Sequence, residues 1–446
     1  MKSDIPNILL INPWIHDFAA YDFWAKPMGL LKLGALLRAH GFAVSYIDCL
    51  DRFHPCDAPG SPDPRYGRGP YLKTKIPKPP GLEDVPRNYA RYGIKPSWFK
   101  EDLRSVPPPD LILVTSHMTY WYPGVSETIR IIREILPGVP IILGGIYASL
   151  CHDHAVSTSG ADEVISGPAE NQILDIVGTF TGHHVALQLN LNDLDALPYP
   201  AYDLQRNIPY VPLLTSTGCP FSCAYCASHL LNPKQLRRHP ASVIEEIQFW
   251  QTNHDVNDFV FYDDALLVDA PNHAIPLFEE IIASGLKVRF HTPNAVHIRE
   301  IDDRLAQRMI ESGFESLRLG LETGDFDSRS IMDSKVTADE FKRAVICLKD
   351  AGFQKEQVGA YLLAGLPGHS MGSLKASIVL VKACGITPIL AYYSPIPRTA
   401  MWDEAVASSR YDLEADPIFT NNAIWPCQTD PFSWETLTAL KALVSE

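Results

Sequence analysis

Short apolar runs alternate with segments of helical periodicity along the first third of the chain. The run 7–12 (NILLIN) stops at Pro13 and reads as a buried strand. The next segment, MGLLKLGALLRAHG, places Leu30, Leu33 and Leu37 at helical spacing, with Gly41 set to end the helix. Runs 43–50 and 110–117 read as a second and third strand. Between 123 and 138, Val125, Ile129, Ile132 and Leu136 form one stripe of an amphipathic helix, and 139–145 (VPIILGG) is a fourth strand. Strand–helix alternation of this kind predicts a parallel sheet with helices on both faces. Ligands of such sheets sit at the carboxyl ends of the strands, here Asn12-Pro13, Asp48, Thr115-Ser116 and Gly144-Gly145.

The second half repeats a strand-then-helix unit. Strand-like runs at 211–217, 258–264, 287–293, 316–322, 358–365 and 389–395 start at intervals typical of βαβ units, with helices expected at ASVIEEIQFW and ADEFKRAVICLKDAG. Six units predict a partial (β/α)6 barrel of the TIM type, whose chemistry collects past the strand ends. Cys219, Asp263, Asp264, Asn294, Glu322 and Ser394 all fall there. The proline-broken stretch 191–210 is expected to link the two halves. The expected organisation is therefore 1–190, a linker over 191–210, a barrel over 211–400 and a C-terminal extension over 401–446.

Composition narrows the function classes. The 446 residues are 46% hydrophobic and 20% charged, as in a globular protein, and no apolar run is long enough to span a membrane. Nine cysteines in a long chain do not suggest a disulfide scaffold, and the start MKSDIPNILLINPW lacks the pattern of an export signal, so a cytoplasmic location is expected. A net charge of −14 disfavours general nucleic-acid binding. One segment departs from that balance: 51–109 holds eleven Lys or Arg against seven Asp or Glu and is rich in Pro, Tyr and Gly. It reads either as a solvated irregular insertion or as a lid.

The stretch TSTGCPFSCAYCASHL (215–230) carries the chemistry. Cys219, Cys223 and Cys226 stand at C-x3-C-x2-C spacing. Iron–sulfur cubanes normally take one thiolate per iron, so three thiolates leave one iron without a protein ligand. An open position on a metal is where a substrate binds. His229 follows at C-x2-H spacing and offers the alternative of a Cys3His zinc site.

Over residues 205–400 the sequence resembles the radical SAM superfamily, whose signature, with an aromatic before the third cysteine, matches Cys219, Cys223, Tyr225 and Cys226. The resemblance implies that the three cysteines ligate a [4Fe–4S] cluster and that Tyr225 packs against the adenine of S-adenosylmethionine (SAM). The runs FYDDALL, HTPNAV, LRLGLETGD and AYLLAGLPG look like the superfamily's second to fifth strand motifs. By that match Asn294 and Glu322 contact SAM, although a turn residue and a salt-bridge residue are the plainer readings. Asp263 and Asp264 read either as substrate-side acids or as surface turn acids. In YSPIPRTAMW, Arg398 stands where the resemblance expects glycine, and Cys427 reads as structural.

With the run PDLILVTSHMT…GVPIILGGIYAS…GADEVISGPAE, residues 5–180 resemble the cobalamin-binding domain found upstream of many radical SAM enzymes, a Rossmann-like (flavodoxin-like) parallel sheet. Carried over, Ser116, Gly144 and Gly145 line the slot for the nucleotide tail of cobalamin. No D-x-H-x-x-G follows the first strand, His16 is a poor substitute, and so no lower-axial histidine is evident. A degenerate scaffold is the alternative, and the absence of G-x-G-x-x-G disfavours NAD. The resulting expectation is a radical SAM enzyme using [4Fe–4S], SAM and cobalamin to methylate an unactivated carbon. A rearrangement, cyclisation or carbon–carbon coupling without methyl transfer is the second expectation, and a non-enzymatic iron–sulfur or zinc protein the third. Methylthiotransfer fits less well, since Cys49, Cys56 and Cys151 are unsuitably placed for a second cluster. The expected partners are a small-molecule or lipid-like substrate and an external one-electron reductant of the flavodoxin or ferredoxin type.

Overall fold

The computed structural model describes residues 5–56, 65–326, 332, 333, 335–427 and 433–445. The chain divides into two compact units, Met1–Pro209 with Asp416–Thr420, and Tyr210–Ala415 with Asn421–Glu446.

The first unit is built on a parallel sheet of β1 (Asn7–Asn12), β2 (Ala43–Asp48), β3 (Leu111–Val114), β4 (Ile141–Leu143) and β5 (Glu163–Val164), in the order β2-β1-β3-β4-β5. This is the flavodoxin-like order, in which the winding reverses between β1 and β3. Side chains of β1 alternate between two cores. Leu9 and Ile11 pack with Ile112, Val114, Ile141 and Leu143 under α2 (Pro96–Ser105) and α3 (Tyr122–Ile135). Ile8 and Leu10 pack with Leu111, Leu113 and Ile142 under α1 (Met28–Ala39) and α4 (Ile173–Thr181). Burial on both faces explains the unbroken apolar runs. Each such side chain contributes about 1.5–3 kcal/mol. Gly41 ends α1 with φ +86°, as expected.

Two segments differ from expectation. The basic stretch 51–109, of which 57–64 lie outside the described residues, is not irregular throughout. Lys73–Lys75 and Ala90–Tyr92 join Ile15–Asp17 in an antiparallel sheet, and 96–105 form α2. Trp14 Nε1 donates to Ile94 O at 2.7 Å, and Arg91 Nη1 to Glu127 Oε1 at 2.8 Å. A lid would have to release these bonds. The stretch 191–209, expected as linker, lies within the first unit. Ala201 N donates to Leu31 O, Arg38 pairs with Asp203, and Arg206 bridges Asp51 and Asp102. Buried Ala201 and Tyr202 give this stretch an apolar anchor despite its prolines.

The second unit holds β6 (Val211–Leu213), β7 (Asp258–Phe261), β8 (Arg289–His291), β9 (Phe314–Glu322), β10 (Val358–Ala364) and β11 (Thr387–Tyr392). These pair in sequence order, all parallel, and among the described residues β6 and β11 are the edges of an open barrel. The crossover helices include α5 (Pro240–His254), α6 (Ala274–Ser284), α7 (Asp303–Ser312), α8 (Ala338–Asp350) and α9 (Met371–Ala383). Phe259, Phe261, Phe290 and Phe314 stack across three strands, with Phe261 and Phe314 at 5.6 Å. Such pairs add about 0.5–1.5 kcal/mol each beyond area burial. Thr337 and Glu340 form a reciprocal capping box that starts α8. Of the expected extension, Cys427 is buried beside Ala405 in this unit, as a structural role requires. Among the described residues no helix is long and apolar enough to cross a membrane.

Gly145 follows β4 with φ +98°, and a Cβ there would meet Ser116 O at 2.3 Å. Both the backbone conformation and the contact exclude a side chain. Gly145→Ala is therefore expected to destabilise the first unit by about 2–4 kcal/mol. Urea unfolding followed by tryptophan fluorescence checks this, and an unchanged midpoint would contradict it.

Candidate active site

The cysteine loop leaves β6 through Thr215, and a buried acid fixes its departure. Asp263, just past β7, accepts from Thr215 N at 3.2 Å, Thr215 Oγ1 at 2.6 Å and Ser216 Oγ at 2.6 Å. His273 lies 3.1 Å from Thr215 Oγ1, and burial pushes its pKa down to about 4. Because the Thr215 hydroxyl is committed to Asp263, the neutral His273 donates its Nε2–H to that oxygen. Asp263 is thus neither a surface turn acid nor an open substrate contact; it positions the loop. Ser216–Thr217 then pair with Leu236–Arg237, framing the loop as a hairpin. Gly218 turns the chain at φ +73°, where a Cβ would meet Lys234 O at 2.7 Å. Asp264 accepts from Ser228 Oγ at 3.1 Å and Asn232 Nδ2 at 3.0 Å, so it also braces the loop.

Each cysteine sulfur has a hydrogen-bond donor. Cys219 takes the Phe221 N–H, Cys223 takes Lys335, and Cys226 takes Ser228 N at 3.4 Å. Burial nonetheless pushes the Cys219 and Cys223 thiols up, against the lowering pull of Lys335. Among the described residues no three His, Cys, Asp or Glu converge on a point that could hold a single metal ion. The Cys3His zinc alternative is not assembled, and His229 is exposed. A cubane asks for a different arrangement, one thiolate per iron on a shared loop. Three sulfurs with N–H donors on a hairpin pinned at its base fit that demand.

The remaining predicted residues surround this loop. Tyr225 OH donates to Asp333 Oδ2 at 3.3 Å, and Lys335 Nζ lies 3.4 Å from Tyr225 OH. Burial raises the Tyr225 pKa first, and the Glu322 charge adds to it. Glu322 ends β9 at φ +61°, buried, where the register with β10 shifts. Left-handed backbone at a glutamate is strain of the kind that gathers at functional sites. Asn294 is exposed and donates its amide to Tyr262 O at 2.9 Å, tying the end of β8 to that of β7. Arg398 has φ +69°, which is the reason glycine suits that position.

Lys335, Asp333 and His297 were not singled out in the sequence. Burial lowers the Lys335 pKa, but Cys223, Glu322 and Asp333 outweigh it and hold the ammonium charged. His297 is 8% exposed and stacks on Phe221 at 4.9 Å, and neither ring nitrogen has a hydrogen-bond partner among the described residues. Buried orphan nitrogens beside the cysteine loop fit a bound group that supplies their partner. No local motif marks these three; only packing brings them to the loop.

In the first unit, the predicted Ser116 and Gly144-Gly145 lie together. Ser116 Oγ donates to Gly144 O at 2.7 Å and accepts from Ala148 N at 3.2 Å. A Cβ on Gly144 would meet nothing within 4 Å, so the strand end stays open to a ligand there.

Comparison with known proteins agrees with this geometry. Residues 213–381 match the radical SAM superfamily, and residues 101–177 match the B12 binding domain. An uncharacterized methyltransferase of Pyrococcus horikoshii is 22% identical over 329 residues, covering 68% of this chain and 70% of the relative. The anaerobic magnesium-protoporphyrin IX monomethyl ester cyclase of Rubrivivax gelatinosus is 23% identical over 330 residues, covering 66% of this chain but 58% of the relative. The structure of the radical SAM methyltransferase TsrM from Kitasatospora setae, with cobalamin and a [4Fe–4S] cluster bound, superposes with a TM-score of 0.64 at 16% identity, covering 91% of this chain and 76% of that one. At such identity the likeness is one of fold. The chain thus carries a radical SAM domain over 213–381 and a B12-binding domain over 101–177. These two domains identify it as a radical SAM enzyme.

The Asp263 network gives a prediction. Asp263→Ala leaves Thr215 N–H and the hydroxyl protons of Thr215 and Ser216 without their buried acceptor, at an expected cost of about 2–4 kcal/mol. The variant is expected to fold with a lowered melting temperature and to retain less than half the iron of the parent after anaerobic reconstitution. Parental iron content and melting temperature would remove Asp263 from the positioning role.

Proposed function

We propose that this enzyme uses cobalamin and SAM to methylate an unactivated carbon of a small-molecule or lipid-like substrate. The observation that carries the reading is the presence in one chain of the C-x3-C-x2-C loop at the carboxyl end of β6 and a B12-type domain with an open strand end at Gly144. Cys219, Cys223 and Cys226 would hold the [4Fe–4S] cluster through three irons, leaving the fourth to SAM. When bound, the cluster, SAM and cobalamin together supply a 5′-deoxyadenosyl radical and a transferable methyl group. The chain's own residues orient and shield. Tyr225, held by Asp333 and Lys335, packs beside the third cysteine, and the Lys335 ammonium offers the charge complement to a SAM carboxylate. Glu322 supplies a carboxylate for an ammonium or ribose hydroxyl, and Asn294 keeps the ends of β7 and β8 in register. In the first unit Ser116, Gly144 and Gly145 would line the nucleotide tail of the corrinoid. The electron for SAM cleavage would come from an external carrier of the flavodoxin or ferredoxin type, in the cytoplasm.

A second reading, ring formation without methyl transfer, has support in the relatives named as anaerobic ester cyclases. One experiment separates the two. Anaerobic reconstitution with iron, sulfide and hydroxocobalamin, then SAM and reductant, is expected to yield both S-adenosylhomocysteine and 5′-deoxyadenosine on protein that retains corrinoid. Deoxyadenosine alone, without homocysteine product, would shift the assignment to the second reading. Cys226→Ala is expected to abolish both nucleosides, a loss of at least about 10³-fold, equivalent to about 4 kcal/mol of barrier.

A further inference from the structure

The sequence shows no lower-axial histidine in the usual position after β1, yet the fold brings one to the same edge of the sheet from another strand. We propose that His117, three residues past the end of β3, is the axial nitrogen ligand of the cobalt in the bound corrinoid. The inference rests on the corrinoid-binding part of the reading above and concerns a residue that neither the motif nor the comparisons assign.

The sheet order supplies the place. Winding reverses between β1 and β3, and the crevice outside their carboxyl ends is where open α/β sheets bind ligands. His117 spans that crevice: its Nε2 lies 3.3 Å from Oδ1 of Asn12, the last residue of β1. Asn12 in turn donates its Nδ2 to Asp48 Oδ1 at 2.8 Å, across the register pair that joins β1 to β2.

This chain of bonds fixes the tautomer. Asp48 Oδ1 also accepts the Leu50 N–H at 2.9 Å, so it acts as an acceptor, and Asn12 must present its NH2 to it. The Asn12 carbonyl oxygen is then what faces His117, and an oxygen acceptor requires a protonated Nε2. The ring proton sits on Nε2, which leaves the lone pair on Nδ1. Nδ1 makes no hydrogen bond among the described residues, and it is not one of the buried orphan nitrogens. The residue is partly exposed at the strand end.

A metal-ligating histidine nearly always donates its other ring N–H to a fixed acceptor, which sets the ring orientation and raises the basicity of the ligating nitrogen. The Asp48–Asn12–His117 relay is such an arrangement, complete before any corrinoid arrives. His16 has a different acceptor, Glu127 Oε2, which lies 2.8 Å from its Nε2 and also belongs to the Arg91 network. Coordination is a dative bond from Nδ1 to cobalt and leaves the oxidation state unchanged.

The test uses the full chain reconstituted with hydroxocobalamin and reduced to cob(II)alamin. Electron paramagnetic resonance of that species resolves splitting of the cobalt lines by an axial nitrogen. In protein grown with nitrogen-15 histidine the splitting is expected to change from a triplet to a doublet. His117→Gln is expected to retain corrinoid, read by its absorbance after gel filtration, and to lose the label-dependent splitting, while His16→Gln keeps it. Splitting that ignores the label would come from the corrinoid's own benzimidazole, and that result, or the absence of nitrogen splitting, would overturn the proposal while leaving cobalamin binding intact. Label-dependent splitting that survives in His117→Gln would overturn it as well. Failure to retain corrinoid at all would instead overturn the reading on which it rests.

Discussion

Both main sheets are wholly parallel, and this constraint decides where chemistry can occur. A parallel strand can be reached only by a crossover that returns the chain to the starting edge, so every carboxyl end in a sheet opens on one side. Asn12, Asp48 and His117 share that edge in the first unit. Thr215, Asp263, Asn294 and Glu322 share it in the second. Of the strands beneath, β1, β3 and β4 in the first unit and β6, β7 and β9 in the second are almost fully buried, which gives short loops rigid points of departure. Positioning is thus supplied by the hydrophobic effect on the strands, and chemistry by a few polar residues one or two positions beyond them.

How legible this was depends on which force sets each element. Strands buried on both faces must be apolar throughout, and so β1, β3 and β4 announce themselves; α1 and α3 do so by their stripes. The inner barrel strands were readable for the same reason, while β11 is only half-buried and was readable from its apolar run ILAYY. The antiparallel strands at Lys73–Lys75 and Ala90–Tyr92 were not, because pairing with Ile15–Asp17 holds them and their own composition carries no alternation. The two-residue β5 is too short for any periodicity. The cysteines, Tyr225 and Glu322 were legible as a motif. Asp263 was legible only as an acid near a strand end; its burial beneath Thr215 distinguishes a positioning group from a substrate contact. Lys335 reaches Cys223 across more than a hundred residues, a distance over which local sequence has nothing to say.

The electrostatics around the cysteines set two opposing terms against each other. Removing an ion from water costs several kcal/mol, and attraction in the interior compensates only when partners are close and numerous. At Lys335 the partners win: three anionic or ionisable neighbours hold the ammonium charged in spite of burial. At Cys219 and Cys223 burial wins, and the thiols stay protonated. Cluster assembly must therefore release protons from these sulfurs, so uptake of iron is favoured as pH rises, in the direction general to thiolate sites. The N–H donors already aimed at the sulfurs lower the cost of that ionisation without forcing it beforehand.

Asp48 and Asp263 apply one device to two different ends. Each is a buried carboxylate whose pKa burial raises, each accepts a backbone N–H, and each fixes a side chain of the neighbouring strand. Asp48 stands directly opposite Asn12 in the β1–β2 register, and Asp263 follows β7, whose Phe261 is paired with Leu213 just before Thr215. A slip of one residue in either ladder would turn the acid to the other face of the sheet and release the group it holds. Register, set by apolar side chains far from any ligand, is therefore what aims the Thr215 loop and the His117 ring. Hydrogen bonds to a charged acceptor are worth about 1.5–3 kcal/mol, against about 0.5–1.5 for neutral pairs. The stronger kind is used at the base of the hairpin, where a single anchor must hold a twelve-residue approach to three metal ligands (Thr215–Cys226). The gentler Asn12 amide suffices for one imidazole, because there the requirement is a proton on the correct nitrogen rather than force.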